Sequence, residues 1–249
     1  MRVALAVNQV SSDLETNLRQ IERLAGRAAQ AGAKLVLFAE TAVTGLINND
    51  DPEHDLPLGQ PIPGPLTEQL AAMAAANQIY LGIGLFEREG DCLYDTAILL
   101  DASGAIVLRY RRISRGWHNP RIQSIYRAGE DVELVETPLG KFAFLICGDL
   151  FDDGLVQRVR QLQPDYLLFP FARNFDDGSW DQGRWDREEQ AEYADRARLA
   201  GVTTLMVNYL SDPSGDPDGT FGGAFIVNRR GEVLARMPLG RTGLLVADV

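Results

Sequence analysis

The chain is poor in three residue types, and each shortage removes a class of explanation. Its 249 residues include only two cysteines, Cys92 and Cys147, too few for a disulfide framework. That scarcity fits a reducing compartment and predicts a cytoplasmic protein. Two histidines, His54 and His118, stand far apart without ligand spacing, so no metal site is expected. Of the 24 basic residues only Lys34 and Lys141 are lysines; the rest are arginines. No apolar run approaches the ~20 residues of a membrane span, so no membrane partner is expected. The opening Met1-Arg-Val-Ala-Leu-Ala-Val7 reads as a strand from the outset, and no cleavable signal is expected. A formal net charge of −11 disfavours nucleic acid and anionic membrane surfaces, both of which select basic proteins.

What is present is an ordinary globular composition, 45% apolar, with strand and helix patterns in alternation. Val3 to Val7 is a strand. Ser12 reads as an N-cap, with Glu15 completing a capping box. Leu14, Leu18, Ile21 and Leu24 mark one face of the helix that follows, which Gly32 ends. Lys34 to Phe38 is a buried strand, and its place after a helix predicts a βαβ unit. Gly45 to Pro65 is a long loop rich in Pro, Asp and Asn. Leu66 to Ala76 is helical, Ile79 to Phe86 a strand, and Tyr94 to Leu100 with Ile106 to Tyr110 a hairpin around Asp101-Ala-Ser-Gly104. Arg111 to Glu130 is irregular. Further strands are expected at 142–146, 166–169, 203–207, 222–227, 233–236 and 243–247, and further helices at 154–162 and 186–199. With no repeat and no strong boundary, residues 1–249 read as one α/β domain of mixed strand direction.

The most informative stretch is Lys141-Phe-Ala-Phe-Leu-Ile-Cys147-Gly-Asp149. An apolar strand ends on a cysteine just before a helix start, where nucleophiles are commonly mounted. Glu40 stands similarly after Leu35-Val-Leu-Phe-Ala39, at the carboxyl end of a buried strand, the edge where open α/β sheets bind ligands. A carboxylate near a thiol can take its proton and later activate water. The plainer readings are an inert buried cysteine and a carboxylate bonded to local backbone. A helix N-terminus favours a thiolate, whereas Asp149, Asp152, Asp153 and Glu40 oppose it. The expectation is a thiol activated by its base. His118 is a rival base, in a polar segment that suits solvent or substrate contact better.

Together these segments resemble the nitrilase superfamily, the carbon–nitrogen hydrolases. Arg2-Val-Ala-Leu-Ala-Val-Asn-Gln9 is similar to the family's opening block. Leu35-Val-Leu-Phe-Ala-Glu40-Thr-Ala-Val-Thr-Gly45 resembles the general-base block, with Ala39 where proline is usual. Tyr94-Asp-Thr-Ala-Ile-Leu-Leu100, Gly104 and Tyr110-Arg-Arg112 resemble the block that leads to the catalytic lysine. Gly140 to Asp149 resembles the nucleophile block, and Pro164 to Pro170 and Phe221 to Val227 resemble later structural ones. The resemblance covers nearly the whole chain. It implies a four-layer αββα sandwich and a histidine-free triad with Glu40 as base and Cys147 as nucleophile. It implies a cysteine thioester formed from a small amide, N-carbamoyl or nitrile substrate, no cofactor, and a homodimer or higher even homo-oligomer. An amide or N-carbamoyl compound is the expected substrate.

The chain departs from that pattern at Arg112, which occupies the lysine position. Arginine keeps the charge and the donors but does not readily give up a proton. Arg111 and Arg115 are alternative cations. The second acid expected before Tyr126-Arg-Ala-Gly129 is missing, since Arg121-Ile-Gln123 holds no carboxylate. These departures leave open a second function, a catalytically impaired relative that binds a small molecule or protein partner. Gly148, Asp149, Phe171 and Asn174 are the candidate substrate-binding residues, with Phe175 and Trp180 as further lining; Asp149 also reads as the cap of the next helix. The acidic loops at Asn48 to Asp55 and Arg173 to Trp185 suggest a cationic or amine-bearing substrate.

Overall fold

A computed structural model describes residues 1–249 apart from 12, 120, 123–124 and 213–218. In chain order the elements are β1 (Arg2–Val7), β2 (Gln9–Val10), α1 (Leu14–Gln30), β3 (Leu35–Phe38), α2 (Pro52–Asp55), α3 (Pro65–Asn77), β4 (Tyr80–Glu89), β5 (Cys92–Leu100), β6 (Ile106–Arg111), β7 (Leu134–Thr137) and β8 (Gly140–Phe144). They continue with α4 (Asp153–Leu162), β9 (Tyr166–Phe171), α5 (Gln182–Arg184), α6 (Gln190–Ala200), β10 (Thr203–Asn208), β11 (Leu210–Ser211), β12 (Ala224–Val227), β13 (Val233–Met237) and β14 (Gly243–Asp248).

Two six-stranded sheets form, in the orders β14-β1-β3-β4-β5-β6 and β13-β12-β10-β9-β8-β7. Side chains alternate across a strand, and that alternation builds the layers. In β1, Val3, Leu5 and Val7 enter the core between the sheets, whereas Ala4 and Ala6 face the helix side. In β3, Leu35 and Leu37 point inward, and Val36 and Phe38 point to the helices. α1 buries Ile21, Leu24, Ala25 and Ala28, and α3 buries Leu66, Leu70 and Ala74, over the first sheet. α4 and α6 pack on each other and cover the second sheet with Val156, Val159, Tyr193, Ala194 and Ala197. The result is the expected αββα sandwich. Each large aliphatic side chain so buried contributes about 1.5–3 kcal/mol.

Several boundaries differ from the sequence reading. Ser12 lies outside the described residues, and the N-cap of α1 is Asp13, whose carboxylate accepts from Glu15 N. Leu14 is 40% exposed and leaves the apolar face to the residues after it. β7 was not expected. Its Leu134-Val-Glu-Thr137 is short and only partly buried, because it is the edge of the second sheet. The long loop after Gly45 contains α2 and a 3₁₀ turn, Leu56–Leu58. The helix expected from Asp186 has a wide π turn, Trp185–Glu189, before α6 begins.

Candidate functional site

Strand direction brings the site together. β3 and β4 run parallel, β5 runs back, and β6 runs forward again. The end of β3, the beginning of β5 and the end of β6 therefore share one edge of the first sheet. They deliver Glu40, Asp95 and Arg112. The second sheet supplies Cys147, three residues after β8, and Ala172, just after β9.

Neither key turn is relaxed. Cys147 has φ +46° and Thr41, next to Glu40, has φ +42°. Such left-handed backbone costs a non-glycine residue about 1–2 kcal/mol and persists only where its surroundings hold it. The apolar run beyond β8 is not all strand. It leaves the ladder at Phe144, and Cys147 opens a 3₁₀ turn, Cys147–Phe151. α4 starts only at Asp153, with Asp152 as its cap. On the other side, Gly84 of β4 has no side chain where one would meet Glu40 Cα at 2.6 Å and Thr41 N at 2.7 Å. Its bareness lets the Glu40 turn press against the strand.

Glu40 is fully buried. Arg112 Nη1 donates to its Oε1 at 2.7 Å, while its Oε2 has no hydrogen-bond partner among the described residues. Cys147 is close enough to act on this carboxyl electrostatically. Burial, and then the charge of Cys147, push the Glu40 pKa up from 4.5 to about 8, against the lowering pull of Arg112 and Asp95. The Cys147 thiol, half-buried, also lies 3.6 Å from the Ala172 carbonyl.

Arg112 is 3% exposed and every part of its head is directed. Nε donates to Ser114 Oγ at 2.9 Å, and Nη1 is shared between Glu40 and Asp95 Oδ2, the latter at 3.4 Å. Nη2 makes no hydrogen bond to a described residue and lies against Gly148, where an added Cβ would come within 2.8 Å of it. Burial works against the guanidinium charge, but Cys147, Glu40, Asp95 and Asp149 together hold its pKa above the ordinary arginine value. Gly148→Ala is therefore expected to displace the guanidinium and lower kcat/KM by about 10- to 100-fold, with a stability loss of about 1–3 kcal/mol. Steady-state kinetics and a thermal melt check both.

The other expected site residues separate clearly. Asp149 does not face the opening, nor does it cap α4. Its Oδ1 accepts from Ile113 N at 3.2 Å and Ser114 N at 2.7 Å, and its Oδ2 from Tyr110 Oη at 2.8 Å and Ile146 N at 3.1 Å. Four donors fill the carboxylate, which clamps the Arg112 segment to the Cys147 turn. Phe171 is sealed among Phe169, Trp185, Tyr193 and Phe225, away from any polar ligand contact. Asn174 is half-buried two residues beyond Ala172, and its carbonyl takes Arg173 Nη1 at 2.7 Å. Phe175 is buried on Phe221, and Trp180 is 40% exposed beside Gly240. His118 stacks on Tyr126 at 4.7 Å. Arg111 pairs with Glu87 and Glu89 over the Tyr94 ring, and Arg115 is exposed.

In the acidic loops several carboxylates are engaged within the chain. Asp55, fully buried, accepts from Asn49 N, Asp50 N and Tyr126 Oη. Asp50 accepts from Asn119 N, and Asp177 pairs with Arg184. Tyr126-Arg-Ala-Gly129 closes over the cation's backbone: Gly129 N donates to Arg112 O at 2.9 Å, and a Cβ there would lie 2.1 Å from Arg111 O.

Sequence reasoning missed Asp95, Ser114 and Arg196. Asp95 was in view within Tyr94-Asp-Thr-Ala97, where a carboxylate inside an apolar strand was the available signal. Gln123 of the expected acid segment lies outside the described residues. Arg196 reaches from α6 to Leu150 O at 2.7 Å and Asp153 Oδ1 at 2.7 Å, steadying the end of the nucleophile turn. A hollow of about 640 Å³ bordered by Glu89, Tyr94, Arg109, Arg111 and Glu133 lies apart from these groups. Among the described residues no cluster of histidine, cysteine or acidic side chains is arranged to hold a metal ion. No described helix is long and apolar enough to cross a membrane.

Known proteins share this fold. An amidase from Nesterenkonia sp. AN1, in a mutant form showing Michael addition of acrylamide at its active-site cysteine, superposes with a TM-score of 0.83. It is 22% identical, over 100% of this chain and 93% of that one. A carbon-nitrogen hydrolase from Helicobacter pylori G27 superposes with a TM-score of 0.85 at 19% identity, covering 99% and 88%. Among curated sequences, a bifunctional nitrilase/nitrile hydratase of Nicotiana tabacum is 31% identical over 150 residues, which is 54% of this chain and only 43% of that protein. A deaminated glutathione amidase of Dictyostelium discoideum is 23% identical over 267 residues, covering 100% of this chain and 87% of its own. The sequence pattern of the carbon-nitrogen hydrolases matches residues 2–249, and the chain belongs to that family.

Proposed function

We propose that this protein hydrolyses a small, non-peptide amide or N-carbamoyl compound through a thioester on Cys147. The observation that carries the reading is the division of Glu40. One oxygen is held by Arg112, the other has no hydrogen-bond partner among the described residues, and Cys147 acts on the carboxyl electrostatically. Glu40 takes the Cys147 proton as sulfur attacks the carbonyl carbon. The C–N bond then breaks and Glu40 returns the proton to the leaving ammonia or amine. Water, deprotonated by Glu40, attacks the thioester; the acid leaves and the proton goes back to sulfur. Arg112 Nη2 and the Gly148 N–H are the donors for the oxygen that becomes negative, a role worth about 10²–10³ in rate per donor.

This assigns Glu40, Arg112 and Cys147 as catalytic, with Gly148 and Asn174 at the substrate. The domain is residues 1–249, and its setting is the cytoplasm as a homodimer or higher even homo-oligomer, readings that rest on the family resemblance and cysteine use. The amidase neighbours and the amidase of Dictyostelium discoideum favour amide over nitrile chemistry. One observation favours a second reading, binding without turnover: Arg112 occupies the base. A panel of small amides and N-carbamoyl compounds, followed for ammonia release, decides between them. Turnover that disappears in Glu40→Gln supports hydrolysis. No turnover across the panel overturns it in favour of binding.

A further inference from the structure

Asp95 has no assigned part in the chemistry, yet it is buried inside the site. It is 1% exposed, on β5 opposite Phe86 of β4. Its backbone carbonyl accepts from Arg112 N at 2.8 Å. Its Oδ2 lies 3.4 Å from Arg112 Nη1, the same nitrogen that donates to Glu40, and among the described residues its Oδ1, like Glu40 Oε2, has no hydrogen-bond partner.

The charges around Asp95 do not balance if every carboxyl is ionised. Asp149, with its four donors, already sets one negative charge against Arg112. Tyr110, whose hydroxyl serves Asp149, contributes no cation. Glu40 and Asp95 would add two more charges against one guanidinium, with the Cys147 thiol alongside. An uncompensated buried charge costs several kcal/mol, so a proton is retained instead. Distance says where. Arg112 Nη1 lies 2.7 Å from Glu40 and 3.4 Å from Asp95, so the guanidinium stabilises charge on Glu40.

We propose that Asp95 is a neutral carboxylic acid in the resting site and donates its proton as a hydrogen bond to Glu40, the two sharing one proton opposite Arg112. Burial and the Glu40 charge both drive Asp95 well above the ordinary carboxylate range, consistent with that placement. Glu40, itself pushed up to about 8, shares that proton near neutral pH. Asp95 is thus a positioning residue, acting through Glu40. Its significance for catalysis rests on Glu40 being the base proposed above; the proton pairing itself does not.

Infrared difference spectroscopy on the whole protein at neutral pH tests it without substrate. The wild type is expected to show the C=O stretch of a protonated carboxylic acid. Asp95→Asn removes that band, and so does Glu40→Gln, because the single carboxyl left facing Arg112 then ionises. As a functional readout, alkylation of Cys147 by iodoacetamide, followed by peptide mass, should show an alkaline step in the wild type as the shared proton leaves. Asp95→Asn should lack that step. Absence of the band in the wild type overturns the proposal, as does a band that survives in Asp95→Asn. The wild-type spectrum decides even if a variant fails to fold. An amide panel without turnover alongside a band that behaves as described would overturn the hydrolase reading and leave the shared proton standing.

Discussion

Cys147→Ala is expected to abolish hydrolysis, lowering kcat/KM by about 10⁴-fold or more, to the level left by binding and oxyanion donors alone. The expectation follows from roles, since of the two cysteines Cys147 is the one that acts on Glu40. Cys92, the second cysteine, stands at the start of β5 and does not replace it. The backbone at 147 remains left-handed with either residue, so the substitution should move stability by only about 1 kcal/mol. Ammonia release and a thermal melt, measured together, separate lost chemistry from lost fold. Residual turnover within tenfold of wild type would remove Cys147 from the mechanism.

The second large effect concerns the cation. Arg112→Lys supplies the residue that the family resemblance leads one to expect there, yet it is expected to lower kcat/KM by about 10²-fold. The reason is that this site is shaped around a guanidinium. Nε holds Ser114, Nη1 spans Glu40 and Asp95, and Nη2 rests on the bare backbone of Gly148. A lysine ammonium is one point donor and cannot make these directed contacts together. It leaves Asp95 or Ser114 without its partner and the oxyanion position unfilled. The loss should fall mainly on kcat, because the interaction strengthens as charge develops. A gain in rate would instead mean that arginine impairs an otherwise competent triad, and would favour the binding-only reading.

Glu40 and Cys147 were legible because each follows a short apolar strand with nothing else to explain its chemistry. Arg112 was legible through the spacing of the block that begins at Tyr94. Asp95 was not, although it lies in the same block. Its closeness to Glu40 exists only because β5 runs back antiparallel and returns its first residues to the edge where β3 ends. Local pattern carries no information about such a return. Asp149 was legible in part. It caps the 3₁₀ turn that begins at Cys147 by accepting from Ile146 N, but its other three donors come from a segment some 35 residues earlier in the chain, Ser114 among them. β7 escaped because an edge strand has one partner and little need for apolar residues. The acidic loops were read by composition, and composition cannot show that Asp55 and Asp50 are spent on backbone donors.

The central claim is a covalent acyl group on Cys147, formed with Glu40 as the proton carrier. Intact-mass spectrometry during turnover of an active amide tests it most directly. The account predicts a mass increase equal to the acyl fragment, mapped to Cys147, cleared by hydroxylamine and absent from Cys147→Ala. Hydrolysis that proceeds at wild-type rate with no adduct on Cys147, even under rapid quench, or with the adduct on another residue, would contradict it.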